Sequence, residues 1–242
     1  ANAIVHFTFM DTIMTAVTVA LMNTLFRFAT VLVLMPAIPL LEKLVVWLVP
    51  DSSDSQLLEQ HDMDRLEERF LQHPALAIEQ SRLVTDSMAE KARDNLLRAM
   101  HLRLEYSERG YEQVDEAEQL VDRYEDKLGT YLMKLTGRSL TPEQTEEVAK
   151  YLHTISDFER ISDHACNIAD VCQEIDEKKV VFSPNAVHEL QVLESAVTEI
   201  LSTAIDAFVN GNLQQAARVE PLEEIIDGLC DEAKSHHVER LQ

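Results

Sequence analysis

The stretch Asp157-Phe158-Glu159-Arg160-Ile161-Ser162-Asp163-His164-Ala165-Cys166-Asn167-Ile168-Ala169-Asp170 concentrates side chains that can ligate a hard or borderline cation. Glu159, Asp163, His164, Asn167 and Asp170 are the candidates. No Gly or Pro interrupts the run, and Leu152, Ile155, Phe158, Ile161 and Ile168 supply apolar residues in and beside it. At about 100° per residue, Glu159, Asp163 and Asp170 fall within roughly 20° of Leu152 on a helix. Carboxylates therefore occupy positions where the apolar pattern expects core side chains. A buried carboxylate without a partner costs several kcal/mol or becomes neutral, so this face calls for cations or a water-filled groove.

Two further acidic pairs share the Glu-x-x-x-Asp spacing, Glu118/Asp122 and Glu223/Asp227. The spacing places two carboxylates one turn apart on one helix face, where they repel by a few tenths of a kcal/mol. A single such pair is also what a solvated helix face looks like. Here two pairs belong to a repeat: Val114, Glu118, Asp122 and Asp126 recur 105 positions on as Val219, Glu223, Asp227 and Asp231. Three occurrences, two in matching positions, point to a ligand role.

Helices must position these groups. Gly and Pro number only 5 and 7 in 242 residues, and long apolar periodicities dominate, which predicts an all-α chain. Leu57–Leu71 is expected as a connecting helix. Helices are expected over 75–108, ended by Gly110, and over 111–135, closed by Gly137. Thr141-Pro142-Glu143-Gln144 combines an N-cap, Pro at the first helical position and a capping-box Gln, opening a helix to about Glu177. Ser183-Pro184 opens another, ending near Asn210-Gly211, and a last helix runs from about Leu213 with a bend at Pro221. The first unit then has three helices and the second two, which predicts a second repeat cut short at its C-terminal end.

The formal charge is −22, and Asp11, Glu42, Arg27 and Lys43 cancel within residues 1–50, so the acid excess lies in residues 51–242. Such a surface repels nucleic acid and anionic head groups and attracts cations; most of it is accounted for as a solvated acidic surface. Three cysteines without Cys-x-x-Cys spacing argue against a disulfide framework or a cysteine zinc site, and fit a reducing compartment.

Residues 12–49 differ in kind. Thr12–Met35 is interrupted by charge only at Arg27, long enough to cross a bilayer core, before Pro36 and Pro39. Leu40–Val49 reads as an interfacial helix with Trp47 as its anchor. Arg27 is costly inside a span, and a buried helical hairpin is the alternative reading. The segment lacks a basic leader and a small-residue cleavage site, unlike a signal peptide. Ala1 in place of Met suggests a chain that begins partway through something longer. Pro50-Asp51-Ser52-Ser53-Asp54-Ser55 is a linker.

Asp157-x-Glu159-Arg160-Ile161-x-Asp163-His164-Ala165-x-Asn167-Ile168-Ala169 resembles the signature of PhoU-like domains, and the pairs 118/122 and 223/227 resemble the second helices of their repeats. With Pro74-Ala75-Leu76-Ala77-Ile78-Glu79-Gln80 and the apolar segment, the chain resembles the C-terminal part of bacterial type II sodium/phosphate cotransporters. The resemblance implies two three-helix repeats with multinuclear metal clusters. Its expected division is a membrane segment at 1–50, linker and connecting helix at 51–73, repeat one at 74–180 and an incomplete repeat two at 181–242. It implies metal ligation by Glu118, Asp122, Glu159, Asp163, Glu223 and Asp227, with His164 either a ligand or a neighbour. Oxygen-rich ligands suit divalent or trivalent ions of the Mg, Mn, Ca or Fe class. Arg160 is expected to pair with a neighbouring acid rather than with phosphate.

The resemblance implies a regulatory domain plus last membrane helix of a sodium-dependent phosphate cotransporter. Residues 51–242 would then be cytoplasmic at the plasma membrane, and the rest of the transporter, sodium and inorganic phosphate would be met through the full-length protein. Homo-oligomers are possible partners and nucleic acid is not. One span cannot form an alternating-access path, so these residues alone are not expected to transport. A second reading is a soluble PhoU-type adaptor binding a transporter or sensor kinase. A third, a di-metal carboxylate enzyme, is disfavoured because 157–170 lacks Glu-x-x-His. No catalytic residue is assigned and the chain is read as no enzyme.

Overall fold

Local capping opens the long helices where the sequence places the signals. The Thr141 hydroxyl accepts from the Gln144 amide, and the Gln144 side chain accepts from the Thr141 amide at 3.0 Å. Ser183 caps the next long helix, and Gly211 ends that helix in the left-handed region at φ 62°. The structure, a computed structural model, describes residues 21–28, 30 and 52–240. Residues 21–28 are helical. Beyond them the order is α1 (Ser52–Arg65), a 3-10 helix (Glu68–Gln72), α2 (Pro74–Leu102), α3 (Glu108–Thr136), α4 (Pro142–Glu177), α5 (Pro184–Asn210), α6 (Leu213–Ala216) and α7 (Val219–Arg240). No strand occurs among the described residues.

The chain divides into two compact units, Ala1–Leu58 and Glu59–Gln242. In the first, Leu21, Met22, Leu25, Phe26 and Phe28 are exposed. Most of the expected span Thr12–Met35, and all of Leu40–Val49, lie outside the described residues. Among the described residues no helix is long and apolar enough to cross a membrane.

In the second unit α2, α3 and α4 pack on one another. Val84 and Met88 of α2, Val121, Tyr124, Leu128, Leu132 and Leu135 of α3, and Val148, Ile155 and Ala165 of α4 fill the core. Ala77, Ala89, Ala92 and Ala99 are fully buried on α2, so the helix backbones approach closely. Each large side chain buried here contributes about 1.5–3 kcal/mol of transfer free energy.

The helix α5 docks on α2 through Leu201 and Ile205, with Phe208 edge-on to Phe158 at 5.3 Å. Arg103 donates two hydrogen bonds to Glu194, tying α2 to α5. The last helix packs on α5 and α6, and none of its residues is fully buried. No third helix covers this α5–α7 hairpin among the described residues.

Three boundaries differ from expectation. The helix α2 ends at Leu102, six residues before Glu108, and Gly110 lies in the first turn of α3, where its amide donates to the Ser107 cap. Pro221 sits in the first turn of α7 rather than at a bend, because there it sacrifices no intrahelical bond; the chain breaks at Ala217 and Arg218 instead. The connecting helix runs from Ser52, taking in Ser52–Ser55 that were expected as linker, to Arg65, and a 3-10 helix completes the link.

Candidate metal centre

The amphipathic patterns of α3 and α4 each leave a polar row beside the apolar one. On α3 the row is Tyr111, Asp115, Glu118, Asp122 and Glu125; on α4 it is Ser156, Glu159, Asp163, Cys166 and Asp170. Both have 3-4 spacing, so each forms one stripe along its helix. The helices pack antiparallel, and the stripes meet rung by rung. Tyr111 donates to Asp170 at 2.7 Å at one end, and Ser156 donates to Glu125 at 3.0 Å at the other. Between them, ligand atoms of Asp115, Glu118 and Cys166 lie within 4.8 Å of one another. Asp163 adjoins Glu118, and Glu159 adjoins Asp163, Glu125 and Asp122.

The core beneath holds this spacing. Asn95 of α2 is fully buried and donates to the Val114 carbonyl at 3.1 Å and to the Ser162 hydroxyl at 2.9 Å. Val114 precedes Asp115 and Ser162 precedes Asp163, so one amide spans the two helices at the level of the acids.

Electrostatics within the groove favours loss of negative charge. Partial burial, then Asp163, Asp122 and Asp115, push the Glu118 carboxyl up from its ordinary value. Burial, then Asp163, Glu125 and Asp122, do the same to Glu159. Burial and the surrounding acids raise the Cys166 thiol to about 11. The hydrogen bond to Asp170, then burial, raises Tyr111 to about 12. Among the described residues no Lys, Arg or His lies within ion-pair distance of Glu118, Asp122, Glu159 or Asp163. The donor set is nearly all carboxylate oxygen with one thiol, which fits a hard or borderline divalent cation.

Four of the six expected ligands are thus brought together: Glu118 and Asp122 from α3, Glu159 and Asp163 from α4. They flank the core instead of pointing into it, because Tyr151, Ile155, Phe158, Ser162 and Ala165 take the inward positions. Asp163 and Asp170 are exposed and Leu152 is only half-buried, so the face expected to be core is the wall of an open groove. His164 is exposed, and at about 100° per residue it points roughly 130° away from the middle of the α4 row. Arg160 lies 3.9 Å from Asp157, the neighbouring acid. Asn167 donates to the Asp163 carbonyl and closes a local bond. Glu223 and Asp227 are exposed on α7 and belong to no such facing row among the described residues. Sequence reading missed Asp115, Glu125 and Cys166, although extending the 3-4 spacing by one turn on each helix finds all three.

Comparison with known proteins places these helices. The PhoU domain family matches residues 85–172, which covers most of α2, all of α3 and α4 through Cys172. The phosphate-specific transport system accessory protein PhoU homolog 1 of Thermotoga maritima is 30% identical over 97 residues, 38% of this chain and 41% of that protein. The match thus spans well under two thirds of that relative's length. No solved structure matches. The carboxylate groove lies wholly inside the stretch that is similar to a PhoU domain.

Proposed function

We propose that this chain is a non-catalytic, PhoU-type accessory module of phosphate transport, which holds divalent cations between α3 and α4. One observation carries the reading: Glu118, Asp122, Glu159 and Asp163 face one another across two helices within the PhoU-like stretch, and among the described residues none of them is in an ion pair. The relative's printed role as an accessory protein of phosphate transport supports a regulatory over a transporting task. Bound ions would offset the partial burial and the repulsion that raise Glu118 and Glu159, and a charge-neutral groove would present a different surface to a transporter or sensor partner. Ions of the Mg, Mn, Ca or Fe class fit the donors.

Attachment to the last membrane helix of a sodium/phosphate cotransporter is the second reading, and the uncharged run Thr12–Phe26 favours it. Carbonate-resistant pelleting would support attachment, and full extraction would support a free adaptor. The groove itself is tested by elemental analysis and Mn2+ titration of the full chain. Replacing Glu118 and Asp163 by Ala together should abolish Mn2+ uptake and the thermal stabilisation it confers. Unchanged uptake would refute the ligand assignment.

A further inference from the structure

At one end of the bundle the corner joining α2 to α3 meets the corner joining α4 to α5. Helix α4 stops there in a tight reversal. The Val180 amide donates to the Ile175 carbonyl at 3.0 Å, and the Lys179 amide to the Asp176 carbonyl at 3.2 Å. Lys179 holds φ 51°, in the left-handed region where a helix end ordinarily takes glycine. Val180, Val181 and Phe182 then run without regular structure to the Ser183 cap of α5. Val181 is 91% exposed and Leu104 of the neighbouring corner 58%, and Val180 and Phe182 are exposed as well. The cleft between the corners holds about 290 Å3, less than a drug-sized ligand fills, and Val181 on its rim keeps nearly all of its surface in solvent. The apolar surface is therefore a projecting tip and not a pocket.

We propose that this corner, Leu104 with Val180, Val181 and Phe182, inserts into the interfacial layer of a phospholipid bilayer, with Lys178 and Lys179 reaching the lipid phosphates. Charge selects this occupant. The segments 98–109 and 174–179 set Arg98, Arg103, Arg109, Lys178 and Lys179 against Glu105, Glu108, Glu174, Asp176 and Glu177, so they are neutral in a chain of net charge −22. Screening confines surface charge to about 8 Å at physiological salt, so a phosphate layer can approach this neutral end while the acidic remainder repels it. Lys178 pairs with Glu174, and Lys179 with Asp176 at 3.1 Å, all on the surface. Exposed pairs hold weakly, so each ammonium can exchange its carboxylate for a lipid phosphate while its methylene stem follows the apolar tip. The order Lys-Lys-Val-Val-Phe sets two cations directly before three apolar residues, an arrangement that seats a segment at the headgroup boundary. The uncharged run Thr12–Phe26 is the other part of the chain whose sequence suits a bilayer. The inference needs neither the cation groove nor a membrane-spanning helix.

The test uses the full chain and phosphatidylcholine vesicles. Trp47 is the one tryptophan, so Trp47→Phe with Val181→Trp carries a single probe at the tip, and Trp47→Phe with Met133→Trp carries one near the far end of α3. Met133 is 62% exposed, comparable with Leu104, and serves as the matched control. Vesicles should shift the Val181→Trp emission to the blue, and lipid brominated on its acyl chains should quench it, while the Met133→Trp emission stays as in buffer. Adding Lys178→Gln and Lys179→Gln should reduce the quenching, since two phosphate contacts are lost. In the wild-type protein, which needs no substitution, vesicles should slow amide exchange at residues 103–106 and 180–183 and leave 130–136 unchanged. Emission at position 181 that vesicles leave unmoved would overturn the proposal and assign the corner to a protein partner. Equal shifts at positions 181 and 133 would also overturn it, by reducing the effect to general adsorption. Carbonate-resistant pelleting with an unmoved tip would confine bilayer contact to residues 1–50, so the membrane-attached reading would stand while this one falls.

Discussion

At the scale of single residues, the amide of Asn95 matters more than its exposed acidic neighbours suggest. It is fully buried, and its Nδ2 spans α3 and α4 beneath the acids, while its Oδ1 has no hydrogen-bond partner among the described residues. Asn95→Ala removes two hydrogen bonds and leaves a small cavity, and should cost about 2 kcal/mol in a urea melt. The same change should widen the groove and weaken Mn2+ binding even though no ligand is altered. That Glu159 and Asp163 share one face of α4 was legible from their spacing, although that face is a groove wall and the core stripe runs through Ile155, Phe158 and Ser162 instead. Asn95 was not legible, since a lone Asn in a helix has no spacing partner: its role depends on Val114 and Ser162, residues 19 and 67 positions away. His164 was open between ligand and neighbour by type alone, and the structure shows it exposed and off the α4 row.

At the scale of elements, caps were the most readable signals. Thr141 with Gln144 opens α4 and Gly211 closes α5, because both act through bonds within a few residues. Gly110 was read as a helix stop, yet it stands in the first turn of α3. A Cβ there would meet the Leu102 Cδ2 at 2.6 Å and the Ser107 Oγ at 2.9 Å. The close passage of the α2 end over the α3 start requires Gly, a tertiary demand that local propensity does not express. Gly110→Ala should therefore destabilise the protein by about 1–2 kcal/mol, although Ala is the better helix former. A thermal melt that rises for this variant would show that the α2–α3 corner is looser than these distances indicate. The two acidic rows belong to the same scale. Their 3-4 spacing is visible once α3 and α4 are set antiparallel, but the facing of one row to the other is not written in either helix.

At the scale of the molecule, charge decides how stability responds to pH. The net charge is −22, and the half-buried Asp86 is raised to about 6, chiefly by burial, in the same direction as Glu118 and Glu159. A carboxylate with a higher value folded than unfolded binds its proton more tightly when folded. Its stabilising contribution is complete below the unfolded value and is lost as pH rises through the folded one. Glu68, Glu79 and Glu189 are lowered by their basic partners, so their contributions are present near neutrality and disappear only on acidification below the ordinary carboxylate range. The metal-free protein should thus gain stability between about pH 7 and about pH 5, with a melting temperature higher by roughly 2–5 °C at the lower value. Saturating Mn2+ should reverse the slope, because the ion binds the ionised carboxylates and protons compete with it. Replacing Glu118 and Asp163 by Ala should leave the melting temperature indifferent to Mn2+ at every pH while Asp86 preserves part of the acid gain. A metal-free melting temperature that falls steadily over this interval would show that the groove carboxylates are already balanced by the protein itself.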